Sequence, residues 1–346
     1  MTTAATMAAA DHSNKIKWLA GLLALLLIGG AVWAANEFAF QISRADLWRM
    51  VREGVAGYSA VKGQETGELI QASGEIWRRW RNGPLFSGGA IALGATLALL
   101  ALFYLLRGQV KLEKPRTGIK IPRWNLGERV LHWFVAVLFI LLTVTGLTLL
   151  YGKAVLLPWL DKAQFAHWAQ WAKWLHNLSG PLFIAGLVPM ILIWFKDNLW
   201  RPGIDGAWFK ALGGLVGRAH PPAGRMNAGE KGWFWLLMTV GGVLSVTGLL
   251  LDLPLFGLER ESMQIAHLLH VVSAFLVIVG ALGHIYIGTI GTEGALEGMI
   301  TGEVDLSWAR QHHDLWLEEL EKAGKFTLLK GETEIQRPAS FFKPET

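Results

Sequence analysis

The stretch HLLHVVSAFLVIVGALGHIYIG, residues 267–288, is apolar enough to span a membrane, yet it holds three histidines, His267, His270 and His284. A bilayer core takes about 20 apolar residues as a helix. An ionisable side chain inside it is costly and marks a functional site by default. His270 and His284 are fourteen residues apart, which is about 21 Å of helix at ~1.5 Å per residue and leaves the two side chains within about 40° of one face. One helix thus carries two imidazoles on one side, near opposite faces of a membrane.

The rest of the chain has the same character. Of 346 residues 52% are apolar, gathered into blocks that read as spans at 86–106, 129–151, 176–196, 233–253 and 265–290. Eighteen Trp against four Tyr, with many Trp at block edges, match an interfacial aromatic belt. The net charge of +5 is dispersed over inter-block loops, which is topological charge bias and not a nucleic-acid footprint. No cysteine is present. That excludes disulfides, thiolate iron–sulfur clusters, Cys-bearing zinc sites and covalent C-x-x-C-H haem attachment. Metal chemistry here rests on His or carboxylates, and ten His are available.

The loop RGQVKLEKPRTGIKIPRWNLGER (107–129) and the loop 197–232, with Arg201, Lys210, Arg218, Arg225 and Lys231, are the richest in Lys and Arg. Positive loops stay inside, so both are expected in the cytoplasm, as is the tail from 291. Loop 152–175 and the turn 254–264 are then exported. His132 falls near the inner face, His176 at the outer start of span three, His270 near the outer start of span five, and His284 close to the inner side. Four intramembrane histidines therefore form two depth-matched pairs, His176 with His270 outside and His132 with His284 inside. Two imidazoles facing one another across a helix bundle suit six-coordinate haem iron, which leaves no open position and serves electron transfer.

Gly146, Gly180, Gly248 and Gly283 lie close to these positions and read either as gaps for a flat macrocycle or as ordinary close-packing glycines. Arg129, one turn before His132, is either a haem-propionate contact or a positive-inside anchor. His267 has no depth-matched partner and reads as interfacial, and His12, His167, His220, His312 and His313 lie outside the spans. A proton relay is the rival reading for the four, but the spans hold almost no Asp, Glu or Lys to complete one. In FAHWAQWAKWLH (165–176), Trp168, Trp171 and Trp174 recur every three residues and read as a helix lying in the interface. DLSWARQHHDLWLEELEKAG in the tail reads as an amphipathic surface helix.

Six motifs in order, RVLHWFVAVLFILLTVTGL, LHNLSGPLF, RMNAGEKGWFW, HLLHVVSAFLVIVGALGHIYIG, GALEGMITGEV and WARQHHDLW, closely resemble the gamma subunit, the membrane cytochrome b, of respiratory formate dehydrogenase. The resemblance covers about residues 118–320. It implies an all-α membrane protein, a four-helix transmembrane bundle over 108–290 binding two non-covalent b haems on His132, His176, His270 and His284. It further implies a bacterial inner-membrane location, a catalytic alpha subunit that oxidises formate, and an iron–sulfur beta subunit that feeds the outer haem. Quinone is then reduced near the inner haem at Asn227, Gly229 and the surroundings of His284. From chemistry alone, Asn227 and the Gly229 amide are suitable donors to quinone carbonyls, or Asn227 is a helix cap.

The chain is thus expected to be an electron-transfer and quinone-reducing subunit, with lipid and quinone as partners, no nucleic acid and no formate chemistry of its own. The cytochrome b of a hydrogenase or related dehydrogenase is the nearest alternative, and a haem-free anchor or proton-coupled transporter the more distant one. Outside the resemblance, 1–35 reads as a secretory signal peptide, with an uncleaved span as the alternative. Residues 36–85 read as an exported segment, 86–107 as an additional transmembrane helix, and 291–346 as a cytoplasmic tail.

Overall fold

The structure is a computed structural model in which residues 72–217, 219–253, 258, 260–325, 327–328 and 335–336 are described. The leader expected at 1–35 and most of the segment 36–85 lie outside the described residues. Among the described residues, five helical runs are long and apolar enough to cross a membrane.

The first run is longer than its apolar block. Helix α1 (Ala72–Trp80) continues through a wide turn at Arg81–Leu85, around Pro84, into α2 (Phe86–Arg107). Proline lacks an amide hydrogen and widens the helix where it sits. Helix α3 (Leu126–Val155) starts at a reciprocal cap. The Glu128 amide donates to Asn125 Oδ1 at 2.9 Å, and the Asn125 amide donates to Glu128 Oε2 at 2.9 Å. Two of the amides orphaned at a helix start are satisfied this way.

Helix α4 (Lys162–Trp194) corrects the expectation of a separate helix in the interface. Residues 165–176 are the first turns of a single 33-residue helix capped by Asp161. No Gly or Pro occurs from Lys162 to Ser179, so nothing interrupts the hydrogen-bond ladder there. At about 50 Å α4 exceeds a hydrocarbon core of about 30 Å. Trp168, Trp171 and Trp174, all about half exposed, therefore sit on an extension of the span.

Helix α5 (Pro202–Lys210) is short, α6 (Ala228–Asp252) and α7 (Arg260–Tyr286) complete the long set, and a wide turn at Ile287–Gly291 ends α7. A small polar-end subdomain follows. Strand β1 (Lys120–Pro122) pairs antiparallel with β2 (Glu303–Asp305), with Ile121 opposite Val304, and helix α8 (Glu297–Thr301) precedes β2. The tail does not form one surface helix. It splits into α9 (Leu306–His312) and α10 (Asp314–Lys322), because His313 leaves helical geometry (φ −148°, ψ 48°). The His313 ring donates from Nδ1 to the Gly224 carbonyl at 2.7 Å, and the Ala223 amide donates to Asp314 at 2.9 Å. Trp308, Trp316 and Leu317 join Ile121, Val304 and Leu306 in a buried core. The tail is a packed element because its apolar stripe meets loop 219–226 and β1, a pairing that spans about 90 to 190 residues of chain.

The described residues cluster into two compact units. The first holds 72–95 and 243–276. In it α2 and α7 come so close that a Cβ on Gly89 would lie 2.0 Å from the Phe275 ring, and Trp77 donates from its indole to His267 Nδ1 at 3.2 Å. His267 is thus held by α1.

The second unit holds 96–242 and 277–325. Here α3 and α4 pack together, and a Cβ on Gly186 would lie 2.8 Å from Phe134 and Val135. Asp305 closes its polar end, accepting from the amides of Ser307, Thr117 and Gly118 and from the Thr117 hydroxyl. Burial pushes the Asp305 carboxyl up, but these donors outweigh it and hold the carboxyl below the usual range. A depressed folded-state pKa gives stability that is present at neutral pH and is lost as pH falls through that value. Asp305→Asn should therefore lower the thermal midpoint at pH 7 and shrink the difference between pH 7 and pH 4, measured by melting of the detergent-solubilised protein.

Candidate functional site

The second unit brings His132, nearly two turns into α3, together with His284, near the end of α7. Their ring centroids are 6.2 Å apart at an interplanar angle of 56°. Metal–imidazole bonds are about 2 Å, so two rings on opposite sides of one ion have centres roughly 6 Å apart. Trp233 of α6 stacks on His284 at 5.2 Å and 13°. His132 Nδ1 is buried without a hydrogen-bond partner, unlike the ring of a packing histidine.

His176 and His270 are oriented by one and the same local device. In the second unit, Thr145 of α3 donates its hydroxyl hydrogen to the Leu141 carbonyl at 2.8 Å, and its oxygen lies 2.9 Å from His176 Nδ1. With its own hydrogen engaged, Thr145 accepts from Nδ1–H, which leaves the lone pair on Nε2. In the first unit, Thr247 of α6 donates to the Val243 carbonyl at 2.7 Å and lies 3.2 Å from His270 Nδ1. The Leu244 carbonyl, an acceptor only, is 3.1 Å from the same nitrogen, so His270 also carries its hydrogen on Nδ1. A Cβ on Gly146 or on Gly248 would lie 3.1 Å from Cε1 of His176 or His270 respectively. Each glycine lets its helix approach an imidazole face. Around Gly180 and Gly283 nothing lies within 4 Å of where a Cβ would be.

Sequence reasoning missed Thr145 and Thr247, since hydroxyl residues in an apolar span read as packing. A signal for them existed. Asn125-Leu-Gly-Glu-Arg…Val-Thr-Gly-Leu on α3 recurs as Asn227-Ala-Gly-Glu-Lys…Val-Thr-Gly-Leu on α6, 102 residues later. Leu175-His-x-x-Ser-x-x-Leu-x-Ile-x-Gly on α4 recurs from Leu269 on α7, 94 residues later. The α3–α4 and α6–α7 hairpins are therefore copies of one unit, each with its Thr-Gly against its own His. In this register Phe234 stands where the first copy has His132, and Met190 stands where the second has His284. His176 and His270 are equivalent by repeat, whereas His132 and His284 break it.

A metal-bound imidazole normally donates its second nitrogen to a fixed acceptor, and losing that acceptor costs 10- to 100-fold in affinity or activity. Thr145→Val keeps shape but removes the acceptor of His176, whereas Thr247→Val leaves the Leu244 carbonyl to His270 and should act more weakly. Each should lower haem occupancy or shift the potential of one haem centre, read by a redox titration followed in the visible spectrum.

These features fit a haem better than a bare ion. Among the described residues no group of three or more His, Asp or Glu could hold a metal ion alone. The facing rings, the Nε2 lone pairs freed by hydrogens held on Nδ1 and the glycines set against imidazole are what a macrocycle with two axial histidines requires.

The other expected site residues are less exposed to ligand chemistry. Arg129 donates from Nη1 to the Ile300 carbonyl at 2.5 Å and packs over Gly302, so it is tied to the turn before β2. Asn227 caps α6: its Oδ1 accepts from the Glu230 amide at 3.0 Å and its own amide donates to Glu230 Oε2 at 2.9 Å. The Trp208 ring of α5 covers Gly229, 2.6 Å from where a Cβ would be. The Glu230 carboxylate at this corner also accepts from Arg123 at 2.9 Å.

Comparison with known proteins agrees with this geometry. The prokaryotic cytochrome b561 family matches residues 123–302, just over half of the chain. The cytochrome b556(Fdn) subunit of nitrate-inducible formate dehydrogenase from Escherichia coli K12 is 30% identical over 209 residues, 59% of this chain and 93% of the relative. The cytochrome b556(fdo) subunit of formate dehydrogenase from the same organism is 30% identical over 205 residues, 58% and 94% of the two chains. The formate dehydrogenase cytochrome b556 subunit of Haemophilus influenzae is 29% identical over 206 residues, 58% and 83%. With these relatives in hand, and five membrane-length apolar helices among the described residues, the chain belongs to the prokaryotic cytochrome b561 family as an integral membrane cytochrome b of the formate dehydrogenase type.

Proposed function

We propose that this protein carries two b haems and conducts electrons from formate dehydrogenase subunits on the outer side of the inner membrane to quinone on the cytoplasmic side. The observation that supports it most is the His132–His284 pair, two rings 6.2 Å apart inside one unit of a cytochrome b. His132 and His284 are the axial ligands of the inner haem. His176 and His270, each with its proton fixed on Nδ1 by a threonine, would hold the outer haem, a pairing that rests on the sequence, where each opens its apolar block on the exported side. When bound, bis-histidine haem supplies one-electron transfer without an open coordination position.

The residues of the chain do the rest. Thr145 and Thr247 hold the two imidazoles in the binding tautomer. Trp233 packs the inner ligand. Asn227, next to Glu230 at the start of α6, offers Nδ2–H to a quinone carbonyl, and Gly229 lets an aromatic plane, here Trp208, approach the backbone. The partners are a catalytic alpha subunit and an iron–sulfur beta subunit on the outer face. The dense Lys and Arg of loops 107–129 and 197–232 keep those loops and the tail in the cytoplasm. Electrons then cross the membrane inward and protons are taken up inside, so turnover is electrogenic.

The test is to add formate to membranes holding the assembled complex. Its b haems should become reduced, and a short-chain quinone should reoxidise them. Reduction by hydrogen and not by formate would assign the chain to a hydrogenase instead.

A further inference from the structure

The repeat places one carboxylate at the start of each copy, Glu128 and Glu230, in identical capping boxes. Their other neighbours differ. Glu128 Oε1 accepts from Arg225 at 2.7 Å and from the Trp194 indole at 3.0 Å, both donors that keep their hydrogens at any physiological pH. Glu230 Oε1 accepts from Arg123 at 2.9 Å, but its Oε2 lies 4.0 Å from Nε2 of His313. His313 is fully buried, its Nδ1 hydrogen is committed to the Gly224 carbonyl, and its Nε2 has no hydrogen-bond partner.

The line of rings continues outward. His312 precedes His313 in the chain, and its Nε2 is also buried without a partner. The His220 ring stands 5.8 Å from that of His312, with its Nδ1 likewise unpartnered. His220 Nε2 lies 3.3 Å from Glu113, whose side chain is 54% exposed. At the inner end, Trp233 follows Glu230 by one helical turn and stacks on His284, while Oε2 of Glu230 accepts from the Asn227 amide. Three buried imidazole nitrogens without partners, in file from an exposed carboxylate to the corner that holds Asn227, are what water-bridged proton carriers look like.

We infer that Glu113, His220, His312, His313 and Glu230 form a proton-uptake relay that serves quinone reduction near His284. The inference rests on the quinone reading above. Quinone takes two electrons, originating in formate and delivered one at a time through the haem pair, and two protons from the cytoplasm, giving quinol. Each proton enters at Glu113 and His220, passes by water to His312 and to Nε2 of His313, and from there to the Glu230 carboxylate. Glu230 delivers it to quinone held at Asn227. Burial lowers His312 to about 4 and His313 to about 3, so both rings start each cycle neutral, as acceptors. The charged groups facing this file are Arg123, set against both Glu230 and His313, and Glu113 at its mouth. The neighbouring Lys231 is paired with Asp205.

The test uses the complete formate dehydrogenase complex in membranes, with a short-chain naphthoquinone. Glu230→Gln preserves the cap, since Gln serves that position as well as Glu. His313→Asn preserves a donor to Gly224. In both, haem reduction by formate should stay as in the unmodified complex. Reoxidation by quinone should slow roughly 10- to 100-fold, and the deficit should grow as pH rises from 6 to 8, where free protons become scarcer. Unchanged rates, or an equal loss at every pH, would overturn the relay and leave His313 as a clamp on the tail. If His313→Asn does not assemble, His220→Gln carries the same test at the mouth, with the same expected pH dependence. Haems that formate reduces but quinone never reoxidises in the unmodified complex would instead refute the quinone reading itself.

Discussion

Replacing His284 with Ala should halve the haem content, from about two to about one per chain, and reduce quinone turnover to background, while formate still reduces the remaining haem. His132→Ala should give the same pattern. The expectation follows from the geometry: the two rings face each other at 6.2 Å, and each stands where the other repeat has a non-ligand, Phe234 or Met190, so no neighbouring imidazole can substitute. His176→Ala or His270→Ala should also remove one haem. With the outer one gone, formate should fail to reduce the inner haem, whereas an added quinol still should. Pyridine haemochrome assay and formate-reduced spectra of the four variants separate the two classes. Loss of the same centre in His176 and His284 variants would refute the depth assignment.

A second large effect concerns Lys231 and Asp205. Lys231 Nζ lies 3.0 and 2.9 Å from the two Asp205 oxygens, both side chains are nearly fully buried, and Asp205 Oδ2 also accepts from the Arg201 amide. Removing one member strands the other charge, which costs about 3–5 kcal/mol. A domain has only about 5–15 kcal/mol of net stability. Lys231→Met should thus lower the thermal midpoint sharply and loosen loop 197–227, with cleavage there under limited proteolysis. The double change Lys231→Met with Asp205→Leu should recover much of the loss, because exchanging a whole buried pair for apolar groups is often neutral. A double variant no better than the single one would mean that Asp205 acts mainly as the cap of α5.

Much of this was legible in the residues. The apolar blocks located the five membrane-length helices of the described residues, because length and hydropathy are set by bilayer thickness. The four histidines stood out because ionisable groups are rare in lipid. The length of α4 was not legible: the Trp stripe of 165–176 read as a helix of its own, and its union with the span depends only on the lack of a breaker. Thr145 and Thr247 were hidden because their role appears only when another helix brings an imidazole to them. His312 and His313 were set aside as tail residues, since what His313 meets, Gly224 and Glu230, and the ring beside His312, His220, lie more than 80 positions away in the chain.

One chain should hold two haems on two histidine pairs, which haem quantification with low-temperature EPR of the purified subunit reads directly. Two b haems per chain, both low-spin with two histidine ligands, are the expected result. A single haem, a high-spin centre with an open position, or no haem would contradict the account.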